Sequence, residues 1–283
     1  MTLLLFCLAY YLAAGLAVNL TYHRALAHQS LKLDKGLERF LATLGLPAGT
    51  PVQWVGNHRA HHAHADSPKD PHSPHQGGFW HAHVGWYIGS KNTLVCFLYS
   101  VAGPLRTLID GWIRPRTNQQ YNRLAGNIES DPYYRWISRP RPYLAACWLH
   151  VLVTFGTAYV LARGWGVAAL WLTSILVYNV GDSVDSFAHL YGEKSHDTAN
   201  QARDNGLIGF LALGEGWHAQ HHEFPASARH GLGPFQFDWT WQVIRILECL
   251  GLAKDVQCPL SGAQKQNPAE FPLRSNDGTP NDF

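Results

Sequence analysis

The chain has 283 residues, 46% of them apolar and 15% charged, with a net charge of +2 and five cysteines, none in a C-x-x-C pair. That balance offers no basic arm for nucleic acid, and the cysteine spacing argues against a disulfide framework, a zinc ribbon or a cysteine-held iron–sulfur centre. Against one methionine stand 17 histidines and 11 tryptophans, and the positions of the histidines demand a chemical explanation.

Residues 2–20 carry no charge, matching the roughly 20 apolar residues that cross a bilayer. A basic leader is missing, which argues against a cleaved signal peptide. The segment runs into His23-Arg-Ala-Leu-Ala-His28. Five residues separate the two histidines, so on a regular α-helix they diverge; both reach one point only if the helix ends or bulges between them. Leu37, Phe40, Leu41 and Leu44 then mark one apolar face of a helix that either lies in the membrane interface or packs as core. His58-Arg-Ala-His61-His62 follows, and residues 94–103 are apolar but too short to span. The loop 105–141 holds seven arginines, no lysine and three acids, an excess that places it on the cytoplasmic face. Two further apolar blocks, 142–162 and 165–184, are separated only by Arg163-Gly164 and read as a tight membrane hairpin. Beyond them come His189 and His218-Ala-Gln-His221-His222. The tail 259–283 is poor in apolar residues and reads as poorly ordered. The expected fold is all-α: a single domain over 1–258, with three, possibly four, membrane spans and a cytoplasmic helical cap carrying the histidines.

The second and third clusters share the spacing H-x-x-H-H, which on a helix is expected to present three imidazoles to one point. Isolated histidines (His150, His196, His230) are read as ordinary packing residues. Convergent imidazoles without a metal repel one another once protonated, whereas neutral imidazole is the commonest metal ligand. Nine of them exceed what one four-coordinate zinc uses and suit two six-coordinate ions; zinc, copper, iron and nickel all accept imidazole. H-E-x-x-H is absent, and His62-Ala-His64-Ala-Asp66 only begins an H-x-H-x-D hydrolase pattern inside the second cluster. No helix supplies the Glu-x-x-His set of soluble di-iron bundles. A metal pair at a membrane surface suits a greasy substrate, and oxidation of an unactivated C–H bond needs oxygen activated on a metal. The chain has no haem-attachment or dinucleotide fingerprint, so electrons must come from a separate protein.

The order H-x-x-x-x-H, H-x-x-H-H, H-x-x-H-H resembles the membrane fatty-acid desaturases. Trp54-Val55, Asp70-Pro71-His72, Gly78-Phe79-Trp80, His83-Val84-Gly85-Trp86, Ser186-Phe187-Ala188-His189-Leu190-Tyr191-Gly192 and Gly214-Glu215-Gly216-Trp217-His218 are similar to the delta-nine, stearoyl-type branch. The resemblance spans roughly residues 10 to 255. It implies a di-iron centre held by His23, His28, His58, His61, His62, His189, His218, His221 and His222. It also implies oxygen as co-substrate, a cis double bond made in a long acyl chain, and electrons from ferredoxin or a b-type cytochrome with its reductase. His72 and His83 match positions that support ligands without being ligands.

Three departures stand out. Asp185 replaces an asparagine that would hold a metal-bound water, and its carboxylate is counted as a metal ligand, direct or through water. Asp182 stands where tryptophan is common. Gly56-Asn57 replaces the Arg-Asp pair of acyl-CoA enzymes, which favours an acyl chain esterified in a membrane lipid over an acyl thioester. Tyr10 and Tyr11, about three turns before His23, are candidates for the plug at the tunnel's end. Hydroxylation of an alkyl chain, or a zinc-dependent membrane hydrolase, are the alternative activities.

Overall fold

Lys32–Leu33 pairs antiparallel with Ala253–Lys254, and this two-residue ladder is the whole sheet content of residues 1–258, which the computed structural model describes. Everything else regular among the described residues is helical. The poorly ordered tail expected over 259–283 lies outside the described residues.

The first helix, α1 (Thr2–Leu16), continues without a break into a π-helical stretch, Ala17–Ala27. The combined run is one of two helices among the described residues long and apolar enough to cross a membrane. Its first half leaves Leu4, Leu5 and Leu8 exposed, while Ala17 and Leu20 to Ala27 are buried. An apolar surface without protein cover on one half and complete burial on the other is what a helix passing from lipid into a cap requires.

The second such helix is Pro140–Leu190. It is interrupted at Ala162 (φ −152°, ψ 24°) and Arg163 (φ 51°, ψ −138°). There the chain reverses, as residue 166 lies against residue 158. A Cβ on Gly166 would stand 1.9 Å from the Ala158 carbonyl oxygen, so no larger residue fits. At 1.5 Å per residue, arms 140–161 and 164–190 reach about 33 and 40 Å, each enough for a hydrocarbon core of about 30 Å.

Between these elements the shorter helices are assembled. Helix α2 (Lys35–Leu44) is N-capped by Asp34, whose carboxylate accepts from the Gly36 and Leu37 amides. Glu38 and Ala42 are buried, Glu38 accepting from the Tyr134 hydroxyl at 2.7 Å, while Leu37, Leu41 and Leu44 are half-buried and Phe40 is exposed. Leu41 packs against the cluster around Leu20, Leu31 and Ile244, so of the two roles open to this helix most of its apolar face fits core packing. Helix α3 (Pro51–His64) starts at Thr50, whose hydroxyl accepts from the Gln53 amide, with Pro51 in the first turn where its missing N–H costs nothing. Tyr22, Leu26, Val52, Val55, Ile128 and Tyr134 form one core cluster; Leu20, Leu31, Ala228 and Ile244 form a second. The π-helical stretch Ala17–Ala27 contributes to both and is clamped between them, at about 1.5–3 kcal/mol for each large apolar side chain buried. That clamp fixes the position of His23 and His28.

Candidate metal centre

The π-helical stretch resolves the spacing of the first histidine pair. The His28 amide donates to the His23 carbonyl, five residues back, at 3.0 Å, and an i→i+5 turn brings the two side chains onto one side. Their ring centroids lie 4.9 Å apart. The bulge anticipated between them is present.

The nine histidines converge as two groups, not one. Ligand nitrogens of His23, His28, His58, His62 and His221 lie within 4.8 Å of one another; those of His61, His189, His218 and His222 form the second group. The groups adjoin, with the rings of His62 and His222 stacked at 4.3 Å. Each H-x-x-H-H cluster is therefore divided, contrary to the expectation that it serves one point. From α3, His58 and His62 join the first group and His61 the second. From the short helix His218–Glu223, His218 and His222 join the second group and His221 the first.

Three ligand rings are held from behind by buried carboxylates. The Nδ1 of His23 lies 2.6 Å from Glu215, that of His61 3.0 Å from Asp70, and that of His189 2.9 Å from Asp66. The carboxylates are themselves fixed. Glu215 accepts from Arg24, which also donates to Asp238 and to the Ala228 carbonyl. Asp70 accepts from the amides of Asp66 and His72. Asp66 accepts from the Ser73 hydroxyl and the Gln201 amide. Burial alone would raise the pKa of all three acids; the histidine contacts, with Arg24 beside Glu215, outweigh it and hold them below the usual carboxylate range.

Whether these groups fit a metal can be decided from the hydrogens. With Nδ1–H given to a carboxylate, His61 and His189 each present a lone pair on Nε2. His61 Nε2 lies 3.2 Å from His222 Nε2, which lies 3.1 Å from His218 Nε2, which lies 3.0 Å from His189 Nε2. If His222 donates to His61 and His218 donates to His189, nothing bridges His222 to His218. Extra protons do not solve this. Burial, then the neighbouring imidazoles, push His218 and His222 well below the ordinary histidine pKa. The first group repeats the pattern: His23 Nε2 lies 3.0 Å from His221 Nε2, itself 2.9 Å from His62 Nε2. Clustered lone pairs in a buried, neutral cage fit a cation in each group, and five plus four imidazoles exceed two tetrahedral zinc sites.

Asp185, counted among the ligands from sequence, belongs to neither group of converging donors. It lines the cavity that leads to them. That cavity is walled by Tyr10, Tyr11, Ala14, Tyr178 and Leu211 at one end and reaches His23, His58 and His218 at the other. Tyr11 donates to the Leu211 carbonyl at 2.6 Å. Asp182 also lines the cavity, bound two-pronged by Arg106 at 2.6 and 3.0 Å. His72 stacks on the ligand ring of His61 at 4.3 Å, whereas His83 bonds Ser186 and Asn179.

His230, set aside from sequence as an isolated histidine, is buried beside the first group. It lies 3.2 Å from Glu215 and its ring sits 4.4 Å from that of His221. The roles of Asp66, Asp70 and Glu215 also escaped the sequence reading. Their signal was an acid close in sequence to the second and third histidine clusters.

Residues 1–236 match fatty acid desaturase, the family to which the histidine pattern pointed. The chain belongs to that family. Over 262 residues the desaturase is 36% identical to the palmitoyl-monogalactosyldiacylglycerol delta-7 desaturase, chloroplastic, of Arabidopsis thaliana, covering 92% of this chain and 63% of that protein. It is 36% identical over 256 residues to an acyl-CoA C20 Delta5-desaturase of Anemone leveillei, covering 89% and 73%. With the sn-1 stearoyl-lipid 9-desaturase of Anabaena variabilis it shares 30% identity over 254 residues, covering 88% and 82%. These names differ in acyl carrier and in double-bond position, so family membership leaves both open for this desaturase.

Proposed function

We propose that the protein is an oxygen-dependent desaturase that forms a cis double bond in a long acyl chain carried by a membrane lipid. One observation carries the reading: nine imidazoles meet as adjoining groups of five and four at the head of a cavity with an otherwise largely apolar far end. Two irons held by these residues would supply, with dioxygen and two external electrons, the power to take hydrogen from two adjacent unactivated carbons. The overall balance is –CH2–CH2– with O2, two electrons and two protons giving –CH=CH– and two waters.

The rest is the work of the chain. Glu215, Asp70 and Asp66 fix the tautomer and aim of His23, His61 and His189, so that Nε2 of each faces inward. Asp185 lines the cavity that reaches His23, His58 and His218, and its carboxylate would serve a metal there directly or through a water. The cavity orients the acyl chain past the histidines and keeps bulk water away. The apolar arms cross the membrane as three spans, the arginine-rich loop sets the cap in the cytoplasm, and a ferredoxin or b-type cytochrome delivers electrons from that side.

The carrier reading draws on packing at Gly56. A Cβ there would lie 2.4 Å from the Tyr121 carbonyl oxygen. The arginine that grips coenzyme A in acyl-CoA enzymes is therefore barred by backbone contact as well as absent, which supports an esterified lipid.

Gas chromatography of lipids from a host expressing the wild type beside His221→Ala tests the activity. New monoenes are expected with the wild type alone; hydroxy acids would mean a hydroxylase, and identical profiles would defeat the assignment.

A further inference from the structure

Residues 93–113 hold two helices, α4 (Thr93–Ser100) and α5 (Pro104–Ile113), whose surfaces are the reverse of a soluble protein's. The only charged side chains in this stretch, Arg106 and Asp110, are buried, whereas Leu94, Phe97 and Leu98 on α4 and Leu105, Ile109 and Trp112 on α5 are exposed. The last three follow i, i+4, i+7 and so share one face of α5. On its inner side Arg106 and Asp110 are followed by Arg114, one charge per turn, and each is paired within the protein. Arg106 donates to Asp182 at 2.6 and 3.0 Å, and Arg114 Nε lies 3.4 Å from Asp110. A helix bathed in water turns its charges outward. One that pairs its charges inside and shows leucine outside is suited to hydrocarbon.

The contacts of α5 also give its depth. A Cβ on Gly103 would stand 2.6 Å from the Trp171 indole nitrogen, and one on Gly111 would stand 3.0 Å from Leu144 and 3.1 Å from Cys147. At 1.5 Å per residue, Trp171 lies about 12 Å along its arm from the turn at Ala162–Arg163, and Leu144 and Cys147 lie about 22–27 Å along theirs. Those levels differ by roughly 10–15 Å, and a helix from Gly103 to Gly111 rises about 12 Å, so α5 runs alongside both arms. In a hydrocarbon core of about 30 Å whose outer side is marked by that turn, Gly103 stands close to the midplane. The backbone leaves the helix there. Gly103 has φ 56° and ψ −129°, and the Ser100 carbonyl accepts from the Asn179 amide at 2.9 Å. Non-helical backbone survives at membrane depth where protein satisfies it. On the arms themselves, Leu152 and Leu172, near the level of Gly103, are exposed in the same way.

On the reading that the two arms cross the membrane, we infer that residues 93–113 form a re-entrant hairpin. It enters from the cytoplasmic side, turns near the midplane at Val101–Gly103, and seats α4 and α5 against the acyl tails of the cytoplasmic leaflet. The cytoplasmic stretch then begins at Arg114 instead of residue 105, and the five exposed arginines from Arg116 to Arg141 keep the positive bias of that side. Helix α5 is also a wall of the acyl cavity, through Arg106 and its partner Asp182. Leaflet hydrocarbon therefore stands one helix away from that cavity, beyond an ion pair that ties α5 to the second arm.

The test uses the full-length protein in phosphatidylcholine liposomes, with the exposed Cys249 and Cys258 changed to serine and single cysteines, placed at exposed sites, carrying a small fluorophore. Leu105→Cys, Ile109→Cys and Trp112→Cys report on α5, Leu152→Cys and Leu172→Cys on the arms, and Arg123→Cys on the cytoplasmic side. The label at position 105 is expected to be quenched by a nitroxide near the lipid methyl end as strongly as those at 152 and 172. Aqueous iodide should quench it at least ~10-fold less than the label at 123, since an ion is costly in hydrocarbon. The label at 112, near the cytoplasmic end of α5, should respond most to a nitroxide near the headgroup, with 109 between the two. Iodide quenching at 105 equal to that at 123 would put this face in water and overturn the inference. Quenching by neither reagent would mean that protein, such as a second copy of the chain, covers the face, and overturns it equally. A label deeper at 112 than at 105 would reverse the direction of entry and refute the hairpin. Each of these results leaves 152 and 172 in lipid; absence of lipid quenching at those two positions would sink the spanning reading itself.

Discussion

The two metal groups differ in how firmly their ligands are backed, and this asymmetry has a measurable consequence. In the four-histidine group two rings, His61 and His189, lean on carboxylates at 3.0 and 2.9 Å; in the five-histidine group, among the described residues, the carboxylate contact is that of His23, at 2.6 Å. Asp66→Asn and Asp70→Asn keep an oxygen that accepts from Nδ1 and remove the charge. Each charge lies roughly 7 Å from the ion, across a hydrogen bond, a ring and a metal–nitrogen bond. At an effective dielectric of ~20 the bare interaction with a divalent ion is about 5 kcal/mol, an upper bound. Loss of such a partner lowers metal affinity about 10- to 100-fold, or ~1.4–2.8 kcal/mol. The double variant should therefore bind the ion of the four-histidine group about 10²- to 10⁴-fold more weakly and leave the other ion in place. Glu215→Gln should weaken the five-histidine group alone. The assay is metal content after equilibration against a graded chelator, read by elemental analysis, with cobalt(II) absorption reporting each group. Retention of both ions by the double variant at every chelator level would refute the argument, as would loss of both together.

Two further outcomes follow from the same geometry. Burial, reinforced by neighbouring imidazoles, depresses the pKa of His28, His58, His62, His218, His221 and His222 in the fold. The unfolded chain therefore binds more protons below about pH 6.5, and the metal-free protein should lose up to ~1.4 kcal/mol per histidine for each pH unit below that point. Thermal unfolding between pH 8 and 5 should show that fall with chelator present and much less of it with metal bound; a flat metal-free profile would contradict it. At the other end of the cavity, Tyr11→Ala removes a wall residue and its bond to the Leu211 carbonyl. Its products should shift to longer chains or a displaced double bond by gas chromatography, at a stability cost of about 1–3 kcal/mol, and unchanged products would mean Tyr11 is a packing residue only.

Much of this was legible in the sequence because the relevant signals are local. An uncharged run of 19 residues, a two-residue gap between apolar blocks and a repeated histidine spacing each report on one helix. The hairpin turns at Ala162–Arg163, one residue before the expected break, since the arms need Gly166 against the Ala158 carbonyl. What escaped was relational. Asp66 meets a histidine 123 positions away and Glu215 one 192 away, and His230 gains its role from the same Glu215. Arg106 and Asp182, 76 positions apart, form an ion pair in the cavity wall that no local pattern announces.

The division of the H-x-x-H-H clusters is a different kind of miss, because helix geometry alone argues for it. Successive residues turn about 100°, so i and i+4 point within about 40° of each other, whereas i+3 and i+4 diverge by about 100°. Short imidazoles so far apart in direction do not readily share one ion. The spacing therefore describes a pair aimed at one centre and a single ring aimed at its neighbour. Two such helices facing each other complement one another only if their assignments are exchanged, and they are: α3 gives its pair to the five-histidine group, and His218–Glu223 gives its pair to the other. Neither group is complete without both helices, so each site forms only when both helices are in place.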